Sequence, residues 1–130
     1  MKVKRIYLKS RNIKCGIAGS KNQEDLKKII EELEHRGQSC RTIEAEDFSL
    51  GHVLHSVVGE LNQPIRDTGI LSANCEIYNW EEINQKYNWE TENDAETLLN
   101  FLEEKGVQDL EELEGIFGFA YLKENELILT

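Results

Sequence analysis

The sequence predicts one domain of the α+β class, in which helices and strands occupy separate segments of the chain. With 130 residues the chain is long enough for one domain with a hydrophobic core and too short to expect two. Apolar residues recur at helical spacing over 22–37, whereas 42–58, 69–77 and 115–130 carry strand-like patterns. The hydrophobic content of 39% and the charged content of 31% are ordinary for a globular protein.

Composition and charge limit the location and the partners of this chain. No apolar run approaches the length that crosses a bilayer, and the N-terminal segment lacks the apolar centre of a secretory signal, so we expect no membrane association. Three cysteines at irregular spacing do not form a disulfide framework, which favours a reducing, cytoplasmic location. The net charge is −10, although residues 1–14 hold six of the 15 Lys and Arg and none of the 25 acidic residues. The acidic remainder would repel phosphate backbones, so we expect no nucleic-acid partner.

Start and stop signals place the first elements. Small apolar residues and two glycines over 15–19 predict a buried strand. Asn22 is placed to cap a helix, and Gly37 stands where that helix is expected to stop. Between them, the apolar residues Leu26, Ile29, Ile30 and Leu33 fall at helical spacing. Residues 1–14 alternate only weakly; they could add an edge strand, and they could equally be disordered or removed as a basic leader.

Strands and two short helices are predicted for the second part of the chain. Strands are expected at 42–46, 48–58, 69–77, 115–122 and 126–130, with a connection at 59–68 and a helical turn at 109–114. Asn79 with Glu82, and Asn93 with Glu96, have the spacing of capping boxes that begin helices. The last strand keeps its apolar character to its end, and a domain that stopped there would leave a hydrophobic edge unpaired. We therefore expect the fold to be incomplete at its C-terminal end.

Cys15 is the central candidate for chemistry, and the residues alone leave several alternatives open. It can be a small core residue of a strand, or a ligand of a zinc site, although no Cys-x-x-Cys pair is present. A papain-like pair with His52 or His55 is also compatible with the sequence. A cysteine can finally be activated by its own α-amine, which requires a new N-terminus at Cys15 and the loss of fourteen residues. The further zinc-ligand candidates are Cys40, Cys75, His35, His52 and His55.

Seven short motifs occur in a characteristic order along the chain. They are CGIAG at 15–19, LEHRG at 33–37, GH at 51–52, QPI at 63–65, NCEIYN at 74–79, NDAE at 93–96 and LEGIFGFA at 113–120. Together they resemble the class II glutamine amidotransferase domain at the front of glutamine-hydrolysing asparagine synthetases, in particular the archaeal asparagine synthetase-like group. The resemblance covers residues 15–130 and leaves residues 1–14 as a leader or propeptide.

The resemblance implies an αββα sandwich of the N-terminal-nucleophile hydrolase type, with glutamine as substrate and glutamate and ammonia as products. Cys15 would be the nucleophile, and its freed α-amine the general base. The Asn74 side chain and the backbone N–H of Cys75 would form the oxyanion hole. Asp94 would hold the α-amine of glutamine, with Glu76 close by. The glycines around Cys15 would leave clearance for the substrate amide.

The sequence departs from the family pattern at three positions. Lys14 precedes Cys15, so the nitrogen of Cys15 is an amide and not a base unless residues 1–14 are removed. Leu54 occupies the position at which the family has an arginine that binds the α-carboxylate of glutamine. His55 is the nearest residue that could replace this arginine. Cys75 stands where the family has glycine, although its backbone donor is retained.

Partners and cofactors follow from the same resemblance. In the family the domain leads into an ATP-using synthetase domain, so ATP and Mg²⁺ are expected only with such a domain, and no cofactor or metal for the glutaminase part. A synthetase domain or subunit is the expected receiver of ammonia, and a homo-oligomer is compatible with the sequence. Lys14 and Leu54 also motivate a second hypothesis, a non-catalytic domain of the same fold that serves assembly or ammonia-dependent synthesis.

Overall fold

The computed structural model describes residues 2–5, 15–37, 39–54 and 62–130. The strands in these ranges are β1 Lys2–Arg5, β2 Gly16–Ser20, β3 Ser39–Glu44, β4 Ser49–Leu54, β5 Ile65–Arg66, β6 Ile70–Ile77, β7 Gly115–Lys123 and β8 Glu126–Leu129. The helices are α1 Gln23–Leu33, α2 Trp80–Tyr87 and α3 Asp94–Glu104, with 3₁₀ segments at Glu34–Arg36 and Val107–Glu112. The predicted α+β class is confirmed.

The strands form two sheets. The large sheet has the order β1-β8-β7-β6-β5, and the small sheet has the order β2-β4-β3. All neighbours in both sheets are antiparallel except β1 and β8, which are parallel. Strands β2 and β4 of the small sheet contact β6 of the large sheet, so one face of each sheet is turned toward the other.

In the described part of the chain, three clusters of buried apolar side chains hold the layers together. On one face of the small sheet, α1 packs through Leu26 and Ile30. Between the sheets, the cluster consists of Leu50, Ile70, Ala120, Leu122 and Leu127. On the far face of the large sheet, Leu98 and Phe101 of α3 join a third cluster with side chains from β6 and β7. The layers therefore run α1, small sheet, large sheet, and the helical layer of α2 and α3.

Helix α1 begins as predicted but ends for a different reason. The Asn22 side chain accepts hydrogen bonds from the N–H groups of Glu24 (2.8 Å) and Asp25 (3.4 Å), which caps the helix. Gly37 has extended backbone (φ −168°) and not the left-handed conformation of a helix stop. A Cβ at Gly37 would overlap the carbonyl group of Leu54. Glycine is needed there because two backbone segments approach closely.

Of the two predicted capping boxes, the one at Asn79 is wrong, and the one at Asn93 forms only in part. The Glu96 carboxylate accepts from the N–H of Glu92 (2.8 Å) and not from that of Asn93. Asn93 caps α3 by accepting from the N–H of Glu96 (2.9 Å). Asn79 makes no cap hydrogen bond to α2. Its amide instead donates to the carbonyl of Glu112 and accepts from the N–H of Glu114, both at 2.9 Å. Asn79 therefore joins the start of α2 to the segment that enters β7, a long-range contact that the local spacing does not reveal.

The edge of the large sheet also corrects the sequence-based expectation. The weakly alternating N-terminal segment does add an edge strand, because β1 pairs with β8 from Lys2 opposite Glu126 to Arg5 opposite Leu129. The expectation that the last strand would leave its edge unpaired is therefore wrong. The predicted strand 42–46 is shifted, since β3 spans Ser39–Glu44, and the predicted turn at 109–114 overlaps the 3₁₀ segment Val107–Glu112 but ends two residues beyond it.

Across the described ranges, no helix has the length and apolar character needed to span a membrane.

Candidate functional site

The candidate site lies where the start of β2 faces the second half of β6. Cys15 directly precedes β2 and is half-buried. Asn74, on β6 of the large sheet, donates a hydrogen bond from its side-chain Nδ2 to the carbonyl oxygen of Cys15 (3.2 Å). The structure thus brings together two predicted site residues that are 59 positions apart.

Alternation along β6 assigns the other candidates to two faces. Ser72 and Asn74 bond to the small sheet, whereas Ala73 and Ile77 belong to the core cluster of the helical layer. Glu76 stands two positions after Asn74 on the same strand, so its side chain lies on the same face of the large sheet, the one that carries the Cys15 contact. Glu76 is exposed, at the open end of this face.

Cys75 lies on the opposite face of β6, next to Asp94. Its side chain packs against the core cluster of the helical layer. Burial and the negative charge of Asp94 raise the pKa of the Cys75 thiol well above its ordinary value of 9.0. This thiol stays protonated at neutral pH and is a poor nucleophile. The group of Cys75 that can serve the site is its backbone N–H, as a hydrogen-bond donor.

Asp94 is the first residue of α3 and is tied to the end of β6. Its Oδ2 accepts a hydrogen bond from the N–H of Ile77 (3.1 Å), while Asn93 caps the helix. A carboxylate in the first turn of a helix is also favoured by the helix dipole. The side chain is therefore held beside β6, beyond the strand segment that carries Asn74 and Cys75.

His52 is buried in the sheet interface and does not pair with Cys15. Its Nε2 lies 2.9 Å from the carbonyl oxygen of Ala73, and its Nδ1 has no partner among the described residues. Burial lowers the pKa of His52 below its ordinary value of 6.5, so the ring is neutral at pH 7. Within the described residues, Cys15 and His52 thus do not form a papain-like pair. His55 lies outside the described residues, and Leu54 is half-buried at the end of β4.

The expected clearance for substrate beside Cys15 does not explain the glycines of this strand. A Cβ at Gly16 would come within 3.3 Å of Leu33, at the end of α1. A Cβ at Gly19 would come within 2.6 Å of the Phe48 ring. Both glycines allow close packing of neighbouring side chains, so the clearance expectation is wrong at these two positions.

The zinc alternative finds no support in the described ranges, where no three His, Cys, Asp or Glu side chains are placed to hold a metal ion. Cys40 is exposed on β3, and the ring of His35 bonds to the carbonyl of Glu32 (2.7 Å).

Two buried polar residues near Asn74 received no role from the sequence. Gln63 accepts a hydrogen bond from the N–H of Ala73 (2.6 Å), and Ser72 donates to the carbonyl of Gly51 (3.0 Å). In the sequence, the only sign of Ser72 is that it is a polar residue inside an apolar strand pattern. Gln63 lies in the QPI motif at 63–65, for which the resemblance implies no function. Only the folded arrangement shows that Gln63 bonds to Ala73, the residue before Asn74, and that Ser72 bonds to β4 of the small sheet.

Glutamine-hydrolysing asparagine synthetases of three organisms are similar in sequence to this chain. Asparagine synthetase B [glutamine-hydrolyzing] of Escherichia coli (strain K12) is 35% identical over 99 residues, which cover 68% of this chain and 18% of that protein. A probable asparagine synthetase [glutamine-hydrolyzing] of Dictyostelium discoideum is 33% identical over 100 residues (68% and 18%). Asparagine synthetase [glutamine-hydrolyzing] of Zea mays is 31% identical over 99 residues (69% and 17%).

The matched part thus spans less than a fifth of each of these relatives. A family model described as a glutamine amidotransferase domain matches residues 14–130, nearly the whole chain. This chain belongs to the glutamine amidotransferase domain family.

Proposed function

We propose that this chain is the glutaminase part of an asparagine synthetase-like amidotransferase, which hydrolyses glutamine to glutamate and ammonia. The observation that carries the proposal is the contact of the Asn74 amide with Cys15 across the two sheets. It brings a thiol-bearing residue and a hydrogen-bond donor to one place, as acyl transfer requires. The order of layers supports an N-terminal-nucleophile sandwich as the fold type.

The proposed reaction proceeds through a thioester on Cys15. The sulfur attacks the side-chain carbonyl carbon of glutamine, and the α-amine of Cys15 accepts the thiol proton and passes it to the leaving ammonia. Water then cleaves the thioester and releases glutamate. The Asn74 side chain and the backbone N–H of Cys75 donate to the oxyanion, each worth about 3–4 kcal/mol by analogy with other hydrolases.

The mechanism depends on the loss of residues 1–14. While Lys14 is attached, the nitrogen of Cys15 is an amide with no lone pair available for a proton. Processing would also remove β1 from the edge of β8, so the large sheet of the active form would begin at β8. The basic residues of the leader would leave with it, which makes the remaining domain more acidic.

Substrate binding is assigned to the residues around the end of β6. We propose that Asp94 holds the α-amine of glutamine and that Glu76 lies near the same group. Leu54 offers no charge to the α-carboxylate, so His55 is the proposed replacement for the missing arginine. The glutaminase step needs no cofactor, and ATP and Mg²⁺ belong to the synthetase partner that we propose receives the ammonia in the cytoplasm.

The test compares the chain that begins at Cys15 with the full chain. We expect the shortened chain to release glutamate from glutamine, and the full chain to release none beyond background. Cys15→Ala in the shortened chain should abolish the release, whereas Cys40→Ala, which changes an exposed cysteine of β3, should preserve it. Glutamate is measured with an enzyme-coupled assay, with and without a chelator. Failure of the shortened chain to hydrolyse glutamine would refute the glutaminase.

The second candidate is a non-catalytic domain of the same fold, and Leu54 is the observation that favours it. Such a domain would retain residues 1–14 in the cell, and Cys15→Ala would leave nitrogen assimilation unchanged. Intact mass of the protein from its native host decides between the two, because an N-terminal Cys15 is required by the first and not by the second.

A further inference from the structure

Among the described residues, Ala73, the residue before Asn74, has no strand partner on one side of β6. Ala73 stands opposite Phe119 in the register of β6 and β7. Phe119 uses its N–H on the Thr130 hydroxyl (3.0 Å) and its carbonyl on the Thr130 N–H (3.1 Å). Ala73 and Phe119 are therefore a non-hydrogen-bonded pair, and the N–H and C=O of Ala73 point to the other edge of β6. At that edge, the pairing of β5 with β6 extends only to Leu71, which stands opposite Ile65.

Two buried side chains take the place of the missing strand. Gln63 falls opposite Ala73 when the β5–β6 register is extended by two residues, and its Oε1 accepts from the Ala73 N–H (2.6 Å). The carbonyl of Ala73 can only accept, so Nε2 of His52 carries the proton and donates to it (2.9 Å). Gln63 is 7% exposed and His52 1% exposed, so water has little access to compete for either bond.

The bond between His52 and Ala73 belongs to a continuous seam of hydrogen bonds between the two sheets. Ser72 donates to the carbonyl of Gly51, His52 donates to the carbonyl of Ala73, and Asn74 donates to the carbonyl of Cys15. Three consecutive residues of β6 are thus bonded to the small sheet, which carries Cys15. The position of the Asn74 amide relative to Cys15 is set by this seam.

We propose that Gln63 and His52 are positioning residues that hold the Ala73 peptide, and through it aim the Asn74 amide at the reacting carbonyl of the substrate. The proposal rests on the glutaminase function proposed above. Displacement of a catalytic group by about 1 Å costs up to about a hundredfold in rate, so a small shift of β6 against β2 is enough to matter. Neither residue needs to touch the substrate for this effect.

The kinetic test uses the chain that begins at Cys15. His52→Leu and Gln63→Leu each remove one bond to Ala73, and we expect kcat to fall by about ten- to a hundredfold with KM for glutamine changed less than about threefold. His52→Gln offers an amide N–H near the position of Nε2, so it should recover most of the lost kcat. An unchanged kcat in both Leu variants would overturn the proposal.

A double-mutant cycle separates positioning from a general loss of stability. Because the effect passes through Asn74, His52→Leu should lower kcat much less in an Asn74→Ala background than in the wild type. If the two losses multiply in full, His52 does not act through Asn74 and the proposal is wrong. Circular dichroism of each variant verifies that the fold is retained.

A measurement without substrate keeps this proposal separable from the glutaminase itself. In ¹⁵N-labelled protein, both Leu variants should shift the side-chain amide resonances of Asn74, and Gln63→Leu should speed hydrogen exchange at the Ala73 amide. If no preparation hydrolyses glutamine, the proposed function fails, while the resonances still decide the positioning of Asn74. Unmoved Asn74 resonances in both variants would contradict our inference.

Discussion

At the scale of single residues, Gly115 shows how a glycine beside the site is fixed by its surroundings. It begins β7 opposite Ile77, with φ at +156°, and a Cβ there would overlap the carbonyl of Glu76. Gly118, on the same strand, has nothing nearer to its missing Cβ than the carbonyl oxygen of Thr130 at 3.8 Å. The two glycines therefore form a matched pair for substitution.

We expect Gly115→Ala to lower the free energy of unfolding by about 2–4 kcal/mol, because strained backbone alone costs about 1–3 kcal/mol and the overlap adds to it. Gly118→Ala should change it by less than about 1 kcal/mol, with a small gain in stability favoured because alanine restricts the unfolded chain. Urea denaturation of both variants measures the difference. Equal effects would show that the backbone at Gly115 adapts freely.

His52 makes stability depend on pH in a definite direction. Its folded pKa lies below 6.5 because burial disfavours the charged ring, so the folded state holds the neutral form. The contribution of neutral His52 to the free energy of unfolding is fully present above pH 6.5. It is lost as the pH falls from there through the lower pKa of the folded state. We expect the free energy of unfolding to fall less steeply from pH 7.5 to 5 in His52→Gln than in the wild type.

His35→Gln, which replaces an exposed histidine at the end of the first helix, is the control for this experiment. Urea titrations at several pH values give the slopes for the three proteins. The same slope in His52→Gln and His35→Gln would mean that the burial of His52 does not govern the acid response.

At the scale of elements, Asn79 and Asn93 have similar sequence contexts but different partners. Asn93→Ala should cost about 1 kcal/mol through loss of the α3 cap. Asn79→Ala removes two bonds to Glu112 and Glu114 and should cost about 1–3 kcal/mol. Hydrogen exchange distinguishes them: the Glu114 amide should exchange faster only in Asn79→Ala, and the Glu96 amide only in Asn93→Ala. Protection of Glu114 that survives in Asn79→Ala would refute the assigned role.

The same pair shows which parts of the fold the sequence can predict. The cap at Asn22 and the one at Asn93 depend on groups two or three residues away, so local spacing identifies them. The partners of Asn79 are 33 and 35 residues away, and no local rule reaches them. Strand β6 could be predicted because apolar residues recur along it from Ile70 to Ile77, whereas β3 is mostly exposed, so the sequence pattern does not locate its start at Ser39.

The candidate site follows the same division. Cys15 and Asn74 could be proposed only through the resemblance of their motifs to a family, since they are 59 residues apart. The contacts of Ala73 with Gln63 and His52 depend on how the two sheets face each other, which no motif encodes. The roles of Glu76 and Asp94 in binding glutamine stay predictions, as does that of His55.

At the scale of the whole molecule, the site spans two sheets, so its geometry is only as stable as the contact between them. Helix α1 lies on the small sheet, and the two tryptophans, Trp80 and Trp89, pack against the core cluster of the helical layer on the far side. Domains of this size usually unfold as one cooperative unit. The fluorescence of these two tryptophans therefore reports on the unfolding of the helical layer when a substitution is made in α1, on the other side of the molecule.

Ile30 and Ile29 of α1 provide the test. Ile30 is 6% exposed against the small sheet, whereas Ile29 is 37% exposed. Ile30→Ala should lower the free energy of unfolding by about 2–5 kcal/mol, and Ile29→Ala by less than about 1 kcal/mol. In Ile30→Ala the urea midpoints from tryptophan fluorescence and from circular dichroism should shift together. A fluorescence midpoint that stays at the wild-type value, while circular dichroism shows an earlier transition, would mean that the two sheets unfold separately. The contact between Cys15 and Asn74 would then be lost before the large sheet unfolds.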